Sequence, residues 1–420
     1  MWRAAYSVLF YLLLPFLLLR LYWRGIRAPD YRLRWGERFG FYSVPRRCGV
    51  AWLHAVSVGE AEAAFLLLRE LRAAHPDARF LLTTTTPTGS ARVRAVLGEQ
   101  VDHVYLPYDA PLIVNRFLRH FAPTCAVFLE KEIWPNLYAA CRERNIPLYI
   151  VNARLSEGSA RAYLKIPGLI RPALACVTGI AAQTAADVGR FERIGARPEQ
   201  VAALGNIKFD LQPEPGVAEA GRRLRETLFA GRFVWILAST HADEEAWLLG
   251  ELAALRARIP ELLVLVAPRH PERFAAAARA AQDLGLRLAR RSERPESLAD
   301  CDVYLADSMG ELRMLYAAAD VAFVGGSLAA AGGHNVLEAA AAGAPVLFGP
   351  HMFNFADIAA GMLAADAAWQ CSDAAGVAAA VARLYADAGL RAGLAARGAE
   401  FVAANRGAAR RVAGLLADAL

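Results

Sequence analysis

The chain has 420 residues, enough for two ordinary domains or one large one. Hydrophobic residues make up 56% and charged residues 21%, which excludes an intrinsically disordered chain. The net charge of +6 comes without an aromatic-plus-basic nucleic-acid motif, and arginines crowd near the N-terminus, so the excess reads as attraction to an anionic membrane surface and no nucleic acid partner is expected.

From residue 4 to residue 19 only Ser7 and Pro15 interrupt an apolar run, and Tyr22 and Trp23 follow it. The run is at the short end of what crosses a bilayer. A cleaved signal peptide would show small residues at a cleavage site, whereas Arg20, Arg24 and Arg27 come next. Residues 1–24 are therefore expected to be an uncleaved anchor with everything after it on the cytoplasmic side. A buried core helix is the alternative. Six scattered cysteines, with no CxxC and no Cys/His cluster, fit reduced thiols and offer no zinc site.

After the anchor, short apolar runs alternate with helical ones. Strands are expected at 51–56, 79–84, 125–129, 148–152 and 179–182, with helices at about 61–73 and 90–97. A proline-rich break, QPEPG at 212–216, is the best linker, and the alternation restarts with strands at 233–238, 262–267, 303–305, 321–324 and 346–348. Such alternation implies parallel sheets with right-handed crossovers, whose ligands sit at the carboxyl ends of the strands. Two Rossmann-like units joined near residue 213 are expected to face each other across a cleft. The alanine-rich tail from about residue 374 reads as surface helices without identifiable chemistry.

Several strand-to-helix junctions carry polar residues. AWLHAVSVGE puts Glu60 at the mouth of a helix, where the dipole should keep it ionised near neutral pH and able to take a proton from a hydroxyl. An acidic first-turn residue that only complements the dipole fits the spacing equally. FLEKEIWPN contributes Glu130 and Glu132, which on an extended chain would point to opposite sides and not form a close pair. GNIKFD places Lys208 just before the linker, as an anion-neutralising group or an ordinary solvated lysine.

In the second half, Pro268, Arg269 and His270 follow a strand directly, and Ser308, Met309, Gly310 and Glu311 lie between a strand and a helix. Two glycine pairs, Gly325-Gly326 and Gly332-Gly333, precede a helical run expected from near Asn335 to Gly343. Glycines there let backbone approach a ligand, free N–H groups of the first turn favour phosphate, and Glu338 is placed for ribose hydroxyls. Ser308 with Glu311, and Asn335 with Glu338, match a capping box as well. The one DxD, Asp300-Cys301-Asp302, abuts an apolar strand, so neither a metal nor a cofactor is expected.

Taken together, HAVSVGE, TTTTPTG, NARLS, GNIKFD, PRHPER, DSMGEL and GGHNVLEAAAAGAPVLFGPHMFNF, in order between about residues 52 and 355, resemble the 3-deoxy-D-manno-octulosonic acid (Kdo) transferase family of lipopolysaccharide synthesis. That resemblance implies a GT-B fold behind an N-terminal membrane-anchor helix: residues 25–211 an acceptor-binding domain, residues 212–420 a nucleotide-sugar-binding domain. It implies an inverting transfer of Kdo from CMP-Kdo to a lipid A precursor, lipid IVA, at the bacterial inner membrane. By motif, Glu60 resembles the catalytic base, and Glu130 and Lys208 the groups that stabilise the transition state. Pro268, Arg269, Met309, Gly310, Glu311, Asn335, Val336, Leu337 and Glu338 resemble the CMP site. Lys131 departs from the pattern, which has a small hydroxyl residue between the two glutamates. Two other readings remain: another GT-B enzyme, either a UDP-sugar transferase or a sugar-nucleotide epimerase, or a membrane-attached binding module without catalysis.

Overall fold

The computed structural model describes residues 1–211 and 216–420, so the break expected at 212–216 lies, except for Gly216, outside the described residues. The chain forms two compact units, residues 1–210 with 405–420, and residues 211–404. Each holds one parallel sheet of seven strands among the described residues.

In the first unit the strands are β1 (Val50–His54), β2 (Arg79–Thr84), β3 (Asp102–Tyr105), β4 (Cys125–Leu129), β5 (Leu148–Ala153), β6 (Gly179–Ala182) and β7 (Val201–Ala203), in the order β3-β2-β1-β4-β5-β6-β7. Alternate residues serve opposite faces. Trp52, Leu81 and Phe128 enter one core cluster, while Leu53, Leu82 and Val127 enter the other. Both faces are thus covered, which is why the strands read as unbroken apolar runs. From β1 the chain winds outward to β3, then returns to β1's other side as β4, so the strand order reverses between β1 and β4.

The second unit repeats the plan. Its strands are β8 (Phe233–Thr240), β9 (Leu262–Pro268), β10 (Leu288–Arg290), β11 (Val303–Leu305), β12 (Val321–Val324), β13 (Val346–Phe348) and β14 (Trp369–Gln370), ordered β10-β11-β9-β8-β12-β13-β14. The reversal lies between β8 and β12, paired from Val321↔Trp235 to Val324↔Ala238. The expected strands are all present. β3, β7, β10 and β14, which the sequence reading omits, are the outermost strands of the two sheets.

The tail is not confined to the surface. Val377, Val381, Leu384 and Leu394 are buried in the second unit's core, and Val412 and Leu416 in the first unit's. The expected assignment of residues 212–420 to one domain differs from the structure in that residues 405–420 return to the first unit. The carboxylate of Asp210 accepts the backbone N–H groups of Gly407 and Ala409, fixing the start of the helix Ala408–Leu416.

The helix Trp2–Arg27 is long and apolar enough to cross a membrane. One side of its first turns is held by the first unit: Arg3 pairs with Glu143 at 3.2 Å, Ser7 donates to Asn136 Oδ1 at 2.9 Å, and the Leu112 N–H donates to the Tyr11 hydroxyl. Val8, Leu12, Phe16, Leu19 and Trp23 face outward. Among the described residues, none of the helix belongs to the two core clusters of this unit, which begin at Val50 and Ala51. Deleting residues 1–24 should therefore leave a protein that unfolds cooperatively, as read by circular dichroism on heating in detergent. A product without cooperative unfolding would place residues 4–19 in the fold.

Candidate functional site

Two groups of side chains gather at the carboxyl ends of strands where the sheet order reverses, the usual ligand position in open parallel sheets. In the first unit, β1 runs through Ala55 to Ser57 and into the helix Val58–Ala74. Ser57 caps that helix, and Glu60 answers it: Glu60 Oε2 accepts the Val56 N–H at 2.7 Å and Oε1 accepts the Ser57 hydroxyl at 3.3 Å. The threonine-rich loop after β2 packs behind, with Thr85 and Thr86 hydroxyls donating to the Val56 carbonyl. Gly89 is needed there, since a Cβ would lie 2.9 Å from Thr86 Oγ1.

Capping alone would leave Glu60 acidic. Its carboxyl is instead pushed up to about 8, first by burial and next by the charge of Glu130, against which the Val56 N–H is a partial offset. The expectation of an ionised Glu60 at neutral pH is corrected. Desolvation and a like charge outweigh the helix dipole.

Glu130 follows β4 with a left-handed φ of +63°, its N–H donating to the Val151 carbonyl at 2.9 Å. A non-glycine residue there carries about 1–3 kcal/mol of strain, which persists only where surroundings enforce it. The turn also overturns the extended geometry expected for residues 130–132. Burial raises the Glu132 carboxyl and the charge of Glu130 adds to it, so the two carboxylates do sense one another. Lys131 between them is exposed.

Lys208 Nζ donates to Glu130 Oε1 at 2.9 Å, in an ion pair whose side chains are 19% and 18% exposed. Three side-chain amides hold the lysine's turn. Asn206 Oδ1 accepts the Lys208 N–H at 3.0 Å and its Nδ2 donates to Gln183 Oε1 at 3.0 Å. Gln183 Nε2 donates to the Asn152 carbonyl, and Asn152 Oδ1 accepts the Ile207 N–H at 2.9 Å. Asn152 and Asn206 sit in motifs quoted above, but Gln183 carries no sequence signal. Glu60, Glu130 and Lys208, far apart in the chain, thus come together.

The second unit brings the other residues to neighbouring strand ends. Pro268 pairs with Thr240, and the Arg269 N–H donates to the Thr240 carbonyl at 3.3 Å. After β11, Met309 is exposed and Gly310 has φ +86°. Glu311 accepts Arg291 Nη2 at 2.8 Å and Nε at 3.0 Å, together with the Ser308 hydroxyl. Those bonds, Arg291's foremost, hold it below the usual carboxylate range. Ser308 therefore does not cap the helix Leu312–Ala317. Asn335 Oδ1 accepts the Leu337 N–H at 3.1 Å, while Glu338 turns to Arg313 at 3.5 Å, so only half of that capping box forms. Val336 and Leu337 are fully buried. The helix is shorter than expected, Leu337–Ala341, before Gly343 at φ +81°.

The N–H groups after the first glycine pair are already taken. Buried Glu244 accepts Gly326 and His241 N–H groups on Oε2, and those of Ser327, Leu328 and Ala329 on Oε1, at 2.7–3.1 Å. The helical turn near Asn335, where phosphate is expected, is a different one; at this loop an internal carboxylate fills the place an anion would take. HADEE offered no sign of it beyond an acidic first helical turn. As for the DxD, the Asp302 carboxylate is paired with Arg256 at 2.8 Å and Arg287 at 3.1 Å, and Asp300 is exposed.

A family model described as 3-Deoxy-D-manno-octulosonic-acid transferase (kdotransferase) matches residues 33–211. A 3-deoxy-D-manno-octulosonic acid transferase of Haemophilus influenzae is 41% identical over 361 residues, covering 85% of this chain and 84% of its own. One from Bordetella pertussis is 39% identical over 436 residues, covering 100% of this chain and 99% of its own. Among solved structures, a UDP-GlcNAc 2-epimerase from Neisseria meningitidis aligns with a TM-score of 0.58 at 14% identity, over 88% of this chain and 100% of that one, a likeness of GT-B fold alone.

Removing Glu244 would strand five donors at once, two buried and three part-buried, a buried one costing about 1–3 kcal/mol when unsatisfied. Glu244→Ala should lower stability by roughly 3 kcal/mol or more in denaturant unfolding. A loss below about 1 kcal/mol would mean that the loop holds itself.

Proposed function

The chain belongs to the 3-deoxy-D-manno-octulosonic acid transferase family, and from that premise we propose that it moves Kdo from CMP-Kdo to a lipid A precursor, lipid IVA, with inversion at the anomeric carbon. It is a glycosyltransferase of lipopolysaccharide biosynthesis; the donor, acceptor and residue roles are the proposal.

The observation that carries it is the meeting of Glu60, Glu130 and Lys208 at the strand reversal of the first sheet. Glu60 takes the proton of an acceptor hydroxyl as that oxygen attacks the anomeric carbon. A base with a pKa near 8 is strong enough to pull on the hydroxyl and is still regenerated near neutral pH. Lys208 supplies positive charge beside Glu130 to meet the charge that develops as the bond to the leaving phosphate breaks. Glu130 orients the ammonium and, by its own charge, keeps Glu60 basic. Pro268, Arg269, Met309 to Glu311 and Asn335 to Glu338 hold CMP in the second unit, with the exposed Met309 available to cover the base and Glu338 the ribose. Residues 25–211 would take the acceptor. The helix Trp2–Arg27 and its arginines attach the enzyme to the anionic cytoplasmic face of the inner membrane, where the acceptor resides.

Two outcomes follow. In an assay with CMP-Kdo and lipid IVA, read by mass spectrometry of the lipid, Glu60→Gln should lose about 10²–10⁴ in rate while binding CMP like the parent. A mutant retaining near-parental turnover would remove Glu60 as the base. Because Glu60 is protonated below its raised pKa, kcat/KM should climb about tenfold per pH unit up to roughly pH 8 and then level off. A profile already flat from pH 6 upward would show a base with an ordinary carboxylate pKa.

A further inference from the structure

Three imidazoles and a guanidinium converge where the second sheet reverses its strand order, and none of the imidazoles has a role so far. His241 is the first residue after β8, His270 follows Arg269 at the end of β9, and His334 lies beside the second glycine pair after β12. The His241 and His334 rings lie parallel within 7°, their centroids 5.2 Å apart, and Nε2 meets Nε2 at 2.9 Å. Such a contact needs one ring to donate and the other to accept, so the neutral pair shares a single proton there. His270 stands edge-on to His241 at 6.2 Å.

Burial first, and then Arg269, His241 and His270, lower the pKa of His334 to about 3. No carboxylate among the described residues is a cause of the shift at His334. Glu244, on the helix after His241, faces the backbone N–H groups of residues 326–329. Glu245 is held by Thr240 and Arg273. Arg269 enters no ion pair among the described residues. Gly326 makes room for both rings, since a Cβ would lie 3.0 Å from His334 Cδ2 and 3.3 Å from His241 Cδ2. Ring nitrogens gathered beside Arg269, with no carboxylate among the charges that reach His334, are matched to a mobile anion.

We propose that His241 and His334, with Arg269, bind the phosphate of the cytidylyl donor, the ring pair opening its shared hydrogen bond and taking up one proton from water as it does so. The idea rests on the donor reading above. In the transfer, the bond between the anomeric carbon and the phosphate oxygen breaks with both electrons passing to that oxygen. The acceptor's proton goes to Glu60, and the phosphate changes from a diester with one negative charge to a monoester with two. An imidazolium beside it meets the added charge, and its opposition to Arg269 and His270 falls away once the anion lies between them.

Calorimetric titration of the full-length protein in detergent tests this, using CMP and, as the phosphate-free control, cytidine. Two buffers of different ionisation heat count the protons. Above about pH 7 free CMP is already a dianion, so any proton counted belongs to the protein. Wild type should take up a proton with CMP and none with cytidine. The double variant H241Q/H334Q should lose that uptake and bind CMP about tenfold or more weakly, as expected on removing hydrogen bonds to a charged group. Unchanged cytidine affinity would show that its site is folded, and each single variant should fall in between. Equal CMP affinity and equal proton uptake in the double variant overturn the proposal. Failure of wild type itself to bind CMP overturns the donor reading, and this inference with it.

Discussion

Desolvation of Glu60 beside Glu130 is the constraint around which the first unit is arranged. Two carboxylates that sense one another in a poorly solvated site cannot both ionise cheaply, since each disfavours the other's charge. Lys208 gives Glu130 a counter-charge that Glu60 does not have, its ammonium sitting on Glu130 at 2.9 Å. Glu60 is left with a backbone N–H and a serine hydroxyl, too little to offset burial. Strain at Glu130 and the chain of amides Asn152, Gln183 and Asn206 serve the same end: they fix the two loops that put the ammonium on one carboxylate and not the other.

The second unit solves a related problem with the opposite sign. Its glycine-rich loop has a concave run of N–H groups, yet Glu244 neutralises them from within. What has no ion-pair partner at the strand ends among the described residues is the cation Arg269, set beside three histidines. Each unit thus concentrates at its sheet reversal one kind of charge that folding leaves incompletely matched. Such mismatch is costly to build and is found where a ligand completes it.

The interior of both sheets was legible in the sequence because strands covered on two faces have no polar alternation to obscure them. The edge strands were not. β3 reads DHVY, β10 reads LAR and β14 reads WQ, short segments with polar residues facing outward, which local pattern cannot separate from loops. The site was legible as a list of residues, since Glu60, Glu130 and Lys208 each stand in a recognisable segment. Their states were not. The helix dipole at Glu60 can be read from four neighbouring residues, whereas its burial and the approach of Glu130 arise from contacts seventy positions away in the chain. The left-handed turn at Glu130 has no glycine or asparagine to announce it, and the pairing of His241 with His334 spans two loops that only the parallel register brings together. Asp210, which draws the last helix back to the first unit, likewise acts across nearly the whole second unit in sequence.

The proposal for the catalytic base turns on whether burial, with the charge of Glu130, keeps Glu60 protonated at neutral pH. Side-chain carboxyl ¹³C NMR of glutamate-labelled protein, with the Glu60 signal assigned by its absence from Glu60→Gln, reads this directly. Wild type should show Glu60 titrating near pH 8, and Glu130→Gln should bring it down towards the ordinary carboxylate range without reaching it, because burial remains. A Glu60 that titrates as an ordinary carboxylate in wild type, or whose titration is unmoved by Glu130→Gln, would contradict the account.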